Sequence, residues 1–285
     1  MADDRKPLVS IVTPSLDQGR FIEDAIRSVL DQDYPRIEHI VVDGGSTDGT
    51  LAVLTRYPHL TWVSEPDRGQ AAAINKGFAM ATGEIFAWLN ADDYYLPGAV
   101  TAAVEELCSA GCALVHGGWR QVDEAGRTLR DVAPVPFDFR LQLEARNAVA
   151  QPGAFFTRAA FEDVGGLDEE LHYALDYELW LKLGRRFEVR HVDRVLAAYR
   201  YHPVSKSVAE YEKFASETWS AARRHGARRR SPLFVDFHLP YRHPFLHRVV
   251  RGWRRAADRL FPGLARRVRA KIGYVAEGER TDRIP

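Results

Sequence analysis

Two hydrophobic rhythms alternate along the first 116 residues. Short β-branched, apolar runs each give way to a polar turn, and the turn to apolar positions at helical spacing. Residues 8–12 read as a strand ending in Thr13-Pro14-Ser15, where the proline cannot continue a central ladder. Phe21, Ile22, Ala25, Ile26, Val29 and Leu30 then share one face of a helix that Tyr34-Pro35 closes. Residues 37–42 form a second strand running into Asp43-Gly44-Gly45-Ser46-Thr47-Asp48-Gly49-Thr50. Its glycines permit tight turning, and Ser46 or Thr47 can cap the next helix. Residues 60–64 form a third strand. It leads through Glu65-Pro66-Asp67-Arg68-Gly69-Gln70 into an alanine-rich helix that ends near Ala81. Residues 85–89 are wholly apolar, as suits a strand buried on both faces, and are followed at once by Asn90-Ala91-Asp92-Asp93. A helix from Pro97 to about Ser109 and a strand at 113–116 complete the series. Strands alternating with helices predict an α/β fold with a mainly parallel sheet flanked by helices.

Beyond Gly117 the pattern loosens. Residues 119–122 and 127–132 read as a hairpin around Glu124-Ala125-Gly126. Gln151-Pro152-Gly153 and Val164-Gly165-Gly166-Leu167-Asp168 read as turns, residues 174–183 as a helix, and 187–192 and 195–201 as strands. From Ser207 the pattern is largely helical. There is no internal repeat.

Charge divides the chain where its organisation changes. Residues 1–205 hold 20 basic and 31 acidic side chains, net −11, whereas 206–285 hold 19 and 8, net +11. This predicts a catalytic or binding domain over 1–205 and a basic helical extension over 206–285, the two facing different partners. Within the extension, Val249, Val250, Trp253, Ala256, Ala257 and Leu260 share a face opposite Arg248, Arg251, Arg255 and Arg259. Such a helix around residues 247–272 can lie in a membrane interface or pack its apolar face on the domain. No nucleic-acid recognition motif accompanies the charge, so nucleic acid is not an expected partner. Cys108 and Cys112 are the only cysteines, which excludes a disulfide framework and suits a reducing compartment. Met-Ala-Asp-Asp-Arg-Lys runs almost directly into a strand, so no signal peptide is expected. No apolar run reaches the ~18 residues that span a bilayer. A cytoplasmic location is expected, peripheral on the cytoplasmic face of the membrane if the tail lies in the interface and not if it packs on the domain.

Chemistry gathers at the strand ends. Thr13-Pro14-Ser15, Asp43 and Asn90-Ala91-Asp92-Asp93 fall on one edge of one sheet, the edge where open α/β sheets bind ligands. Adjacent carboxylates are costly to bury unless a cation offsets them, and oxygen ligands suit Mg²⁺ or Mn²⁺. Asp43 and Asn90 can hydrogen-bond a base or a ribose; Asp43 also reads as a turn-initiating residue before glycine. Asp93 also reads as a helix cap. Arg68 stands beside Gly69 at a helix start, where a diphosphate binds well. Lys76 reads as a weaker diphosphate contact or a solvated helix face. Cys108 and Cys112 read as core thiols.

The ordered set Val9-Ser10-Ile11-Val12-Thr13-Pro14-Ser15, Ile40-Val41-Val42-Asp43-Gly44-Gly45-Ser46-Thr47-Asp48-Gly49-Thr50, Asp67-Arg68-Gly69-Gln70 with Ala73, Asn75 and Gly77, and Asn90-Ala91-Asp92-Asp93 resembles glycosyltransferase family two, which has the GT-A (Rossmann-like) fold. The resemblance covers about residues 8–202. It implies a nucleotide-sugar half over about 1–116, an acceptor half over about 117–205, a nucleotide-sugar donor, usually a UDP-sugar, and a divalent metal. By that pattern Asp43 holds the base, with Thr13 to Ser15 lining the same pocket. Asp92 is the main metal ligand, supplemented by Asp93 and by His202, which lies in a segment where a histidine can approach metal or diphosphate. Two positions depart from the pattern. Asn90 replaces the first carboxylate of the Asp-x-Asp slot, and the acidic pair near the acceptor reads Leu175-Asp176.

Asp176 also stands out by position. At 100° per residue it flanks the apolar stripe of Leu175, Leu179 and Leu183, with Glu178 pointing away. A carboxylate leaning inward gains a raised pKa and suits a base that deprotonates a sugar hydroxyl, though a first-turn Asp also simply favours the helix dipole. The expected activity is inverting, metal-dependent transfer to a hydroxyl of a glycan or lipid-linked acceptor. A nucleotidyltransferase would carry a Gly-rich loop after the first strand, which Thr13-Pro14-Ser15 is not. A non-catalytic sugar-nucleotide-binding or membrane-docking protein is the other alternative.

Overall fold

A computed structural model of the chain describes residues 6–202, 210–229 and 231. The first half is the predicted alternation: β1 (Val9–Ser15), α1 (Ile22–Leu30), β2 (Ile37–Asp43), α2 (Thr50–Leu54), β3 (Thr61–Ser64), α3 (Gln70–Met80), β4 (Ile85–Trp88), β5 (Tyr94–Tyr95) and α4 (Ala99–Ala110). Then come β6 (Leu114–Val122), β7 (Thr128–Val132), α5 (Phe139–Glu144), a 3-10 turn (Gln151–Gly153), β8 (Ala154–Thr157), α6 (Arg158–Asp163), α7 (Leu175–Arg186), β9 (Val189–Arg200) and α8 (Tyr211–Arg224).

All nine strands join one sheet in the order β3-β2-β1-β4-β8-β6-β9-β5, with β7 paired to β6. β3, β2, β1 and β4 are mutually parallel. Strand β8 enters antiparallel to both β4 and β6, and β9 runs parallel to β6. The expected breaks at 117–118 and 193–194 do not end strands: β6 and β9 are each one long strand, but their ladder passes from His116–His191 to Gly118–Val195 and leaves Gly117 and residues 192–194 without partners in it. The glycine and charge signals thus mark an irregularity within one strand pair, not a boundary between strands.

The sheet is covered on both faces, which is why its central strands are apolar throughout. On one face Ile74, Phe78, Phe161 and Trp180 pack on Val12, Phe86, Trp88 and Phe156. Phe78 stacks on Phe86 at 4.5 Å between centroids, and Trp88 on Trp180 at 5.5 Å. On the other face Ala25, Val29, Val100, Ala103 and Leu107 cover Val9, Ile11, Ile85 and Phe155. Gly77 lets α3 lie directly on β1, since a Cβ there would stand 2.4 Å from a Val12 methyl. Leu30 and Cys108 depart from expectation. Leu30, at the rim of the α1 stripe, is 52% exposed, and Cys108 is also exposed while Cys112 is buried.

The extension does not begin as a separate body. Ala174, Tyr177 and Leu181 of the α7 region pack with Leu143 against Trp219, Ala221, Ala222 and Ala227. Arg224 bonds Asp168, and Arg228 bonds Glu144. Glu178, which points away from the apolar stripe, is therefore buried under α8 and meets His225 at 3.1 Å. Residues 219–227 of the extension thus pack on the domain. The amphipathic stretch at 247–272 lies outside the described residues.

Candidate functional site

β1 and β4 are neighbouring parallel strands, with Val12 opposite Trp88, so Pro14-Ser15 and Asn90-Ala91-Asp92 leave the same edge. The order of the parallel strands reverses here, at the switch point that opens a crevice beyond their carboxyl ends. The crevice is a cleft of about 1100 Å³. It is lined by Pro14, Ser15, Asn90, Ala91 and Asp92 beyond β1 and β4, and also by Asp67, Gly69, Gln70, Trp119, Arg130, Gln151, His172, Tyr173, Asp176, Tyr199, His202 and Phe214.

Strand β9 closes the cleft. Beyond its end His202 Nε2 lies 3.0 Å from Asp92 Oδ2. Asp92 keeps 22% of its side-chain surface exposed and His202 only 3%. Among the described residues no three His, Cys, Asp or Glu side chains form a ready metal cage. One carboxylate and one imidazole nevertheless fit an ion such as Mn²⁺ that takes its remaining ligands from diphosphate oxygens and water.

Asn90 is held in place. Its Oδ1 accepts from Gln70 Nε2 at 2.8 Å, and its Nδ2 donates to Gln151 Oε1 at 2.9 Å. Gln151 Nε2 in turn donates to the Trp88 carbonyl at 2.7 Å, which ties the slot to β4. An amide at position 90 can serve both partners, donating to one and accepting from the other, where a carboxylate could only accept.

Asp93 takes a different place from the one expected. It is buried, its Oδ1 accepts from the Arg200 backbone N–H at 2.9 Å, and it does not line the cleft. Burial, reinforced by the neighbouring Asp92 charge, pushes its pKa well above the ordinary range. Asn90, Ala91 and Asp92 line the cleft and Asp93 is turned into the core, so of the two adjacent carboxylates Asp92 alone reaches the crevice. Arg200, which the sequence reading passed over, locks this turn. Its Nε donates to the Asp92 carbonyl, its Nη1 to the Glu124 carbonyl, and its Nη2 to Asp24 Oδ2 at 2.6 Å. The available signal is spacing: Arg200 follows Leu196 and Ala198 at period two along a strand.

Asp43 is also turned inward. Its carboxylate accepts from Gly45 N, Ser46 N and Oγ, and Ser64 Oγ, and it is fully buried behind the cleft wall. The turn-initiating reading is the one realised. Thr13 likewise faces away, its hydroxyl 2.9 Å from His39 Nε2. Arg68 is exposed and pairs with Glu169 beside a separate recess of about 490 Å³, where Lys76 also pairs with Glu65. Asp67 borders both hollows and accepts from the Gly69 N–H, with Gly69 at φ +120°. Asn75 bonds both the N–H and the carbonyl of Leu167 and so fixes the glycine turn before α7.

Asp176 stands in the first turn of α7 and lines the same cleft as Asp92 and His202. Desolvation raises its pKa to about 6, against opposing bonds from its own and the Tyr177 backbone N–H groups; the Glu217 charge adds a smaller upward push.

The comparisons agree with this geometry. The glycosyl transferase family 2 model matches residues 10–165. An uncharacterized glycosyltransferase of Rickettsia conorii is 30% identical over 230 residues, 75% of this chain and 38% of that protein. This chain therefore spans about two fifths of that relative's length. The putative teichuronic acid biosynthesis glycosyltransferase TuaG of Bacillus subtilis is 30% identical over 223 residues, covering 75% of this chain and 86% of TuaG. Among solved structures, S. aureus TarS 1-349 in complex with UDP-GlcNAc superposes with a TM-score of 0.62 at 17% identity, over 76% of this chain and 66% of that one. The mannosyltransferase PcManGT of Pyrobaculum calidifontis, in complex with GDP-Man and Mn²⁺, superposes with a TM-score of 0.64 at 24% identity, over 94% of this chain and 80% of that one. At these identities the two structures speak for the fold alone. A family match across more than half the chain, on a GT-A sheet with its crevice at the switch point, shows that the chain belongs to glycosyl transferase family 2.

Proposed function

We propose that the chain transfers a sugar from a nucleotide-sugar donor, a UDP-sugar in the first instance, to a hydroxyl of a glycan or lipid-linked acceptor, with inversion at the anomeric carbon. One observation carries the reading: Asp92 with His202, and Asp176, line a single cleft. Donor-bound structural neighbours support the donor class, and the relative named for teichuronic acid biosynthesis supports a surface-polysaccharide acceptor.

The residues divide the work. Pro14, Ser15 and the Gln70–Asn90–Gln151 chain shape the donor side and present the Asn90 amide to a ribose. Asp92 and His202 would hold a divalent ion, Mn²⁺ or Mg²⁺, which when bound supplies positive charge against the leaving diphosphate. Asp176 Oδ accepts the proton of the acceptor hydroxyl as that oxygen bonds to the anomeric carbon and the bond from that carbon to the diphosphate oxygen breaks. A pKa near 6 leaves Asp176 ionised at neutral pH yet more basic than an ordinary carboxylate. The reaction is placed on the cytoplasmic side, a reading supported by two cysteines of which Cys108 is an exposed thiol.

The test is turnover of UDP- and GDP-hexoses in Mn²⁺ by the wild type and by Asp176→Asn, with nucleotide binding measured alongside. The variant is expected to bind nucleotide normally and lose transfer. Undiminished transfer removes Asp176 from the reaction.

A further inference from the structure

The α8 helix reaches under the segment that carries Asp176. Glu217, from the second turn of α8, accepts backbone N–H bonds from three consecutive residues: His172 at 3.0 Å, Tyr173 at 2.5 Å and Ala174 at 2.7 Å. Ala174 is the N-cap of α7, and Asp176 is the second residue of that helix. His172, Tyr173 and Asp176 all line the cleft, as does Phe214, three residues before Glu217.

Three successive N–H groups pointing one way cannot be satisfied by regular secondary structure, and those of Tyr173 and Ala174 are partly buried, where a missing partner is costly. A carboxylate is the side chain suited to the task, because it only accepts and has two oxygens for several donors. Its negative charge also complements the positive end of α7. Removing it frees the 172–174 segment to re-form its bonds with water, and Asp176 begins two residues later.

We infer that Glu217 is a positioning residue for the transfer reaction: it fixes the 172–174 segment and thereby the place of Asp176, so that the extension helix is part of the acceptor side of the site. This rests on the reading of Asp176 as the base. The other contacts of α8 have a different character. Arg224 bonds Asp168, and Tyr173 Oη bonds Glu210; both anchor the helix without touching the three N–H groups.

The experiment compares Glu217→Ala, Glu217→Gln, Arg224→Ala and Asp176→Asn in the full chain. It reads nucleotide released from UDP-glucose, UDP-N-acetylglucosamine and GDP-mannose in Mn²⁺ with water as acceptor, nucleotide affinity, and amide hydrogen exchange over residues 172–178 and 90–93. Glu217→Ala is expected to lower kcat by roughly 10- to 100-fold, as a displacement of about 1 Å does for a reacting group, with nucleotide affinity within about twofold of wild type. Exchange should rise at 172–178 and stay unchanged at 90–93. Glu217→Gln keeps a carbonyl oxygen that can face Tyr173 and Ala174, so its kcat should lie between wild type and Ala. Arg224→Ala should stay close to wild type.

Unchanged exchange at 172–178 in Glu217→Ala overturns the inference. So does a kcat within about twofold of wild type, or an equal loss in Arg224→Ala, which would make the effect one of helix docking alone. A parallel loss of nucleotide affinity and of protection at 90–93 also overturns it, as general loss of structure. An active Asp176→Asn refutes the base reading itself; an inactive Asp176→Asn beside a normal Glu217→Ala refutes only the positioning role.

Discussion

His202 and Asp92 stand 110 residues apart in the chain and 3.0 Å apart in space, one at the end of the last sheet strand and one beyond β4. The two side chains line the cleft together. Asp92→Asn and His202→Ala are each expected to weaken UDP binding by about 10- to 100-fold in Mn²⁺, the usual cost of disturbing a metal's supporting groups. In chelator, both should bind nucleotide as the wild type does. Titration calorimetry with and without Mn²⁺ reads both outcomes, and a loss that is the same in chelator contradicts the metal role.

Asp176 ties activity to pH. Its pKa of about 6 puts the acid limb of kcat near pH 6, with activity rising above it. Stability moves the other way. The folded pKa lies above the ordinary 3.8, so between these values the folded state holds the extra proton, and stability falls as pH rises through that window. Asp176→Asn should therefore lose transfer by about 10²- to 10⁴-fold while gaining on the order of 1–3 kcal/mol at pH 7. Denaturant titrations at pH 4 and pH 7 check the sign: the gain should be present at 7 and largely absent at 4.

Asp93 and Asp92 adjoin in sequence and should separate in phenotype. Asp93 is buried with a raised pKa, so its neutral form is the one that burial favours. Asp93→Asn, which resembles that form, should retain its Mn²⁺ response and lose less than about 1 kcal/mol. Asp93→Ala leaves the Arg200 N–H without its partner and should cost about 1–3 kcal/mol, read as a lowered denaturation midpoint.

Gly77→Ala should destabilise by about 1–3 kcal/mol through overpacking against Val12, with no specific effect on nucleotide affinity per folded molecule.

The first half of the fold was legible because β1 and β4 are buried along their length and the helices between strands carry apolar positions at helical spacing. Those patterns survive any tertiary arrangement. The second half was less so, since β6 and β9 are defined by pairing with each other and their glycines and charges look like breaks. At the site, Asp92, Asn90 and Asp176 could be picked out by residue type at a strand or helix end. Asp43, Thr13 and Asp93 share that location, and only side-chain direction separates them from Asp92; adjacent residues on a turn give no periodic signal for it. Arg200, Gln151 and Glu217 were missed because each acts on backbone atoms of a segment far away in sequence.

Arg200 and Asp93 meet across 107 positions of chain, and that span has a temporal meaning. The four parallel strands can pair as soon as residue 88 is available, whereas the turn presenting Asp92 acquires its clamp only when the last strand arrives. Closing so long a loop adds an entropic barrier and places this step late in folding. A chain still emerging from the ribosome would hold a formed sheet before it could hold a donor. Refolding followed by pulsed amide exchange should accordingly protect β1, β2 and β4 before nucleotide binding returns.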